Sequence, residues 1–134
     1  MSGWNRLRWN IRTDTGGDYA ETSGPCAGGL IMQLRFSRTP AGGVDTGVLD
    51  TGTDILLQAV NAAGTVLYNI AHYTNIGAQS FTRVPRILSF DTGGAALGDQ
   101  YAVVTEADRL KLTVTQSAGV AGTKTGTFYV WTAG

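Results

Sequence analysis

Residues 48–53 read Val-Leu-Asp-Thr-Gly-Thr, and Asp50 is the carboxylate in the chain best placed to do chemistry. A carboxyl held in a tight loop after two apolar residues can face a second one across a shared proton. One then acts as base on water and the other as acid. A chain of 134 residues would supply one such loop per subunit and would have to dimerise. The tripeptide Asp-Thr-Gly, however, begins at Asp14, Asp45, Asp50 and Asp91. Asp favours the first position of a turn, where its carboxylate accepts backbone N–H groups, and Gly supplies a positive φ. Repeated use of one tripeptide points to turns, and Asp50 is read first as one of them.

Over about ten residues the stretch resembles the hydrophobic-hydrophobic-Asp-Thr-Gly-Thr/Ser loop of pepsin-like and retroviral-type aspartic proteases. That resemblance implies a homodimeric retropepsin-like enzyme using Asp50. The sequence departs from the pattern on both sides. "TPAGGVDTG" precedes the loop where the family has an apolar strand, and nothing after residue 90 offers the family's late helix.

Other chemistry has few candidates. Asp45, Asp50 and Asp54 fall within ten residues, a spacing open to a weak Ca²⁺ loop. There is no HExxH, no CxxC and no EF-hand loop, and no metal or cofactor is expected. Cys26 is the single cysteine, so an internal disulfide is ruled out. His72 is the single histidine and sits beside no Ser or Asp motif; it reads as a structural or surface histidine, and Cys26 as a small semi-buried thiol. No catalytic residue is expected, and the chain is read as a non-enzyme.

The elements that must position these residues are strands. Nineteen glycines and many Thr and Val residues, with 43% hydrophobic residues, suggest short strands and tight turns in one domain. Residues 4–13 alternate, with Leu7, Trp9 and Ile11 on one face and Arg6, Arg8, Asn10 and Arg12 on the other. Residues 14–29 read as turns. "LIMQLRFSR" puts Leu30, Met32, Leu34 and Phe36 on one face, and residues 39–53 form a Gly-rich connection. Residues 54–73 read as a hairpin, with Ile55, Leu57 and Ala59 answered by Val66, Tyr68 and Ile70. "QSFTRVPRILSFD" is strand-like around Pro85, which marks an edge, a bulge or a strand start. "TGGAALGD" reads as loop, "DRLKLTVTQ" buries Leu110, Leu112 and Val114, and "TFYVWT" is the last strand. The predicted class is all-β: an antiparallel, jelly-roll-like sandwich of seven to eight strands with little or no helix. Residues 1–13 are read as an N-terminal strand or arm and 14–134 as the single sandwich domain.

Ten basic and ten acidic residues cancel, which argues against nucleic acid and anionic membranes as partners. The start lacks the apolar h-region of a signal peptide, and no run of about 20 apolar residues occurs, so production in a cytoplasm is expected. A chain with only 15% charged residues suits association with a partner or with copies of itself. The first strand carries the candidate partner-binding residues Trp4, Arg6, Arg8, Trp9 and Arg12, because Arg and Trp dominate interfaces. An arm docking on a neighbouring subunit is the preferred reading; an ordinary outer sheet face is the other. Trp4, Trp9, Tyr101, Tyr129 and Trp131 offer a further reading, a carbohydrate-binding sandwich, although Tyr129 and Trp131 share a face that could equally be core.

From Asp54 to Thr132 the chain resembles small virion proteins of tailed bacteriophages. The resemblance is carried by "DILLQAVNAAGTVLYNIA", "FTRVPRI" and "LKLTVTQSAGVAGTKTGTFYVWT", with its Lys-Thr-Gly-Thr step at Lys124. It implies a sandwich that decorates or cements the outer surface of a capsid. It also implies the major capsid protein as partner and a homo-oligomer, a trimer before a dimer. Head-fibre and tail components share these features.

Overall fold

The computed structural model describes residues 4–25, 29–38, 47–77, 79–84, 86–90, 93, 96–102, 104–105, 109–117 and 122–133. Side chains are described for these residues except 4, 29–30, 86–90, 96–102, 104–105 and 133. The described residues form strands β1 (Trp4–Arg12), β2 (Asp18–Thr22), β3 (Gly29–Ser37), β4 (Asp54–Val60), β5 (Val66–Tyr73) and β6 (Phe81–Arg83). After these come β7 (Arg86–Phe90), β8 (Ala96–Ala102), β9 (Val104–Thr105), β10 (Arg109–Thr115) and β11 (Thr125–Ala133). No helix occurs among the described residues.

The strands make a β-sandwich. One sheet has the order β1-β11-β3-β6, with β9 also on β3, and the other has β2-β10-β4-β5; β7 and β8 pair with each other. Every ladder between named strands is antiparallel. The pairs β1–β11, β2–β10, β3–β6 and β4–β5 are nested in the sequence and fall alternately in the first and second sheets. The chain thus folds back on itself about the β4–β5 turn, where Asn61 Oδ1 accepts the amides of Ala63 and Thr65 and Gly64 takes φ 84°.

The core is the set of inward side chains that period-two strands deliver. Trp9, Ile11, Ile31, Leu34, Phe36, Phe128 and Val130 of the first sheet face Ile55, Leu57, Ala59, Ile70, Leu110, Leu112 and Val114 of the second. Each fully buried Leu, Ile or Phe contributes roughly 1.5–3 kcal/mol by leaving water. Trp9 packs edge-on to Phe128 at 6.3 Å, and its indole N–H, which a dry core would leave unpaired, donates to the Glu21 carbonyl.

The sandwich, the 54–73 hairpin and the alternations of β1, β4 and β10 match the expectation. Five local readings change. Asp18–Thr22, inside the predicted turn region, is strand β2, because it completes the sheet beside β10. Ala96–Ala102, partly read as loop, is strand β8 on β7. In β3 the buried residues are Ile31, Leu34 and Phe36, not the even-numbered series from Leu30. A register shift opposite Trp131/Thr132 pairs Thr132 with Ile31 and Trp131 with Gln33, so Met32 is the extra residue that reverses the phase. In β5 only Ile70 of the three expected inward residues is buried; Val66 and Tyr68 are exposed. The predicted strand around Pro85 is divided into β6 and β7, and Pro85 itself lies outside the described residues.

Candidate functional site

The first candidate, Asp50, sits in the turn that leads into β4. Its Oδ2 accepts the Gly52 amide at 3.0 Å and the Ser117 hydroxyl in a short contact. Its Oδ1 accepts the Thr53 hydroxyl at 2.8 Å and the Ser117 amide at 3.2 Å. Burial alone would raise the carboxyl's pKa, but these hydrogen bonds from Ser117, Thr53 and Gly52 outweigh it and hold the group below its ordinary 3.8. A carboxylate whose two oxygens each accept two hydrogen bonds from its own chain ties the loop together. The Asp14 turn repeats the chemistry: Asp14 Oδ1 accepts the Gly16 amide at 2.9 Å and the Asp18 amide at 3.0 Å. Both described Asp-Thr-Gly steps therefore join the Asp carboxylate to the Gly N–H. Neither Gly16 nor Gly52 has a positive φ; in the first turn it is the next residue, Gly17, at 88°. The triplets at Asp45 and Asp91 begin outside the described residues.

The glycine of the Asp50 turn is needed for space. A Cβ on Gly52 would collide with the Ser117 hydroxyl and lie 3.2 Å from Asp50 Oδ2. Gly52→Ala should therefore cost about 2 kcal/mol in chemical denaturation, a typical overpacking penalty. In Gly52→Ala/Ser117→Gly the two changes should couple, recovering part of that loss. Additive losses would show that the two residues do not compete for the same space.

The other residues tested for chemistry are dispersed. Asp54 Oδ1 accepts the Asn75 amide at 3.0 Å. Among the described residues no three His, Cys, Asp or Glu side chains are grouped. Cys26 lies outside the described residues. His72 is exposed and borders a shallow cleft of about 230 Å³ with Tyr73, Asn75, Phe81 and Arg83. Burial raises the Tyr73 phenol pKa, and the positive charge of Arg83 opposes the rise.

The outer face of the first sheet is the most distinctive surface. On β1 the odd residues Trp9 and Ile11 point inward, and Arg6, Arg8, Asn10 and Arg12 are exposed. On β11, Phe128, Val130 and Thr132 are buried, so Tyr129 and Trp131 lie on the outer face. Register sets Trp131 between Arg6 and Gln33, and Tyr129 between Arg8 and Arg35. The Tyr129 and Trp131 rings stack at 5.5 Å and 30°, and the Arg6 guanidinium lies 5.3 Å over the Tyr129 ring. Arg8 Nε donates to Asn10 Oδ1 at 2.9 Å. The strands of this sheet carry Arg6, Arg8, Arg12, Arg35 and Arg83 and no carboxylate. The acidic residues with described side chains, Asp14, Asp18, Glu21, Asp50 and Asp54, lie on turns and on the other sheet, which also carries Arg109 and Lys111.

The expected partner-binding set is thus partly brought together. Arg6, Arg8 and Arg12 share the outer face, whereas Trp9 leaves the set because it is 3% exposed and built into the core. The Trp4 and Tyr101 side chains lie outside the described ones. Rather than standing off as an arm, β1 pairs along its whole length with β11. Arg35 and the aromatic pair on β11 complete the face. The alternation of "TFYVWT" pairs Tyr129 with Trp131, but only the fold shows which face is buried. No protein family, curated protein or solved structure matches this chain.

Proposed function

We propose that this protein is a structural module of a tailed-bacteriophage virion, a decoration or cement protein that docks on the major capsid protein. The observation that carries the proposal is the outer face of β1, β11 and β3. Its arginines lie around a stacked Tyr–Trp pair, with no acid among the sheet's strands. Arg, Trp and Tyr are the residues that most often anchor interfaces, and a one-signed face selects an acidic counterpart. The nested strand order adds context. With β7, β8 and β9 set aside as an insertion, β1-β11-β3-β6 over β2-β10-β4-β5 supports a jelly-roll-like reading, an architecture used by capsid and lectin domains. The fold alone does not define the activity; the face is what supports this reading. On a repeating lattice, many weak copies of one contact add to firm attachment.

The test is co-sedimentation with expanded capsids that lack the protein. Wild type should bind, should raise the capsids' resistance to heat and should release as salt rises. Arg6→Glu/Arg8→Glu should weaken binding by about tenfold or more, since it reverses charge on the docking face, while its circular dichroism stays that of wild type. Absence of capsid binding overturns the proposal, and so does binding that the double variant leaves intact. Retention on single-stranded oligonucleotide or on a glycan array in place of capsids would move the same face to a different partner class.

A further inference from the structure

We propose that the cleft between strands β5 and β6 binds the carboxylate of a small ring compound, with the Arg83 guanidinium and the Tyr73 hydroxyl as its donors. β5 ends one sheet and β6 the other. Phe81 pairs with the buried Phe36 and Arg83 with the buried Leu34, so both β6 side chains lie on the inter-sheet side. Tyr73 meets Phe81 edge-on at 5.0 Å, and the Arg83 guanidinium lies 5.2 Å from the centre of the same ring. All three line the cleft of about 230 Å³. The loop that completes it is fastened to the Asp50 turn. The amides of Asn75, Ile76 and Gly77 donate to Asp54 Oδ1 and to the Thr53 and Thr51 carbonyls.

What these groups lack is an acceptor. A Tyr hydroxyl withdrawn from water usually finds a hydrogen-bond partner. The half-buried Tyr73 phenol has none among the described residues; burial and the Arg83 charge are what act on it. A guanidinium is a fork of N–H donors, and that of Arg83 places Nη1 on the Thr82 carbonyl at 2.9 Å and leaves its other N–H groups open. Among the described residues no carboxylate lines the cleft, and Asp54 is engaged by the Asn75 amide. Two donors at one cleft, one of them charged, are complemented by an anion that accepts from both, and a planar carboxylate fits the Arg fork. Size and lining set the rest. The cleft is smaller than the roughly 300–1,000 Å³ of drug-sized pockets, so the occupant is about one ring. Phe81 and Ile76 offer that ring an apolar contact, and the exposed Thr74 and Asn75 offer hydrogen-bonding groups at the rim. The site is separate from the proposed docking face, where Arg6 and Arg8 point outward.

NMR titration of the whole protein with glucuronate and with benzoate tests the proposal, with glucose and benzyl alcohol as the neutral counterparts. At least one acid should bind in the millimolar range and shift the amides of residues 72–76 and 81–83, while its neutral counterpart does not. The acid that binds more tightly tells a saccharide ligand from an aromatic one. Arg83→Gln should weaken binding by about tenfold or more, since it removes the charged donor. Tyr73→Phe removes only a hydroxyl and should weaken binding about fivefold, with thermal stability held or raised. It serves if Arg83→Gln does not fold. The proposal is overturned if neither acid binds or if the neutral counterpart binds as well as the acid. Binding that both substitutions leave intact overturns it too, as do shifts that fall on Arg6 and Arg8 instead.

Discussion

Replacing Asp50 by Ala should lower the folding free energy by about 3 kcal/mol, since hydrogen bonds to an ionised acceptor are each worth roughly 1.5–3 kcal/mol and the donors left behind are partly buried. At about 3 °C per kcal/mol for a chain of this size, the melting temperature should fall by roughly 10 °C. Asp50→Asn should cost less, because it keeps one carbonyl oxygen but turns an NH₂ toward donors. The effect is large because Asp50 ties together segments far apart in sequence. Gly52 and Thr53 are its neighbours, but Ser117 comes from the loop after β10. Beside it, Thr13 Oγ1 donates to the Gly122 carbonyl and accepts the Lys124 amide, while Gln116 Nε2 reaches the Gly122 carbonyl. Removing Asp50 therefore loosens the end of the sandwich where β1, β4, β10 and β11 are joined.

The pH dependence follows from the sign of the shift. The folded-state pKa lies below 3.8, so the contribution of Asp50 is full above that value and fades as pH falls through the lower folded value. The stability difference between wild type and Asp50→Asn should accordingly be constant near neutrality and shrink in acid. A gap that widens in acid would mean that the protonated form is the stabilising one, as in a proton-sharing dyad. That result would restore the hydrolytic reading of the loop.

How much of this was legible in the sequence depends on range. Clean alternation reports a strand with an uninterrupted ladder to a neighbour, so the inward residues Ile55, Leu57 and Ala59 of β4 and Leu110, Leu112 and Val114 of β10 were readable. One inserted residue defeats the rule, and at Met32 nothing local announces it, since the cause is the partner strand β11. Strand β2 was hidden because "DYAET" has one partly buried residue, Tyr19, and is held by pairing with β10 rather than by its own pattern. The Asp-Thr-Gly turns were legible as turns, because an Asp side chain can cap an amide two residues on without help from the fold. The reason for the glycine was not, since at Gly52 it lies in Ser117, 65 positions away in the chain. Charge balance misled in a different way. A zero total is silent about placement, and the strands of the first sheet carry five arginines and no acid.

Adjacent residues of β11 separate what holds the fold from what docks. Phe128 is fully buried against Trp9, so Phe128→Ala should cost about 3–5 kcal/mol, the range for deleting a buried aromatic and leaving a cavity. The calorimetric transition should move down accordingly. Tyr129, one residue on, faces outward beneath the Arg6 guanidinium. Tyr129→Ala should cost only about 1 kcal/mol of stability, as for a partly exposed position. Its loss removes the ring that orients Arg6 and stacks on Trp131, so capsid binding should fall by about tenfold or more, the scale of a hot-spot truncation. The decisive outcome is the crossing of the two effects, stability lost at Phe128 and binding lost at Tyr129. If Tyr129→Ala were as damaging to the fold as Phe128→Ala, the outer aromatic pair would be packing, and the docking face would have to be sought elsewhere on the sandwich.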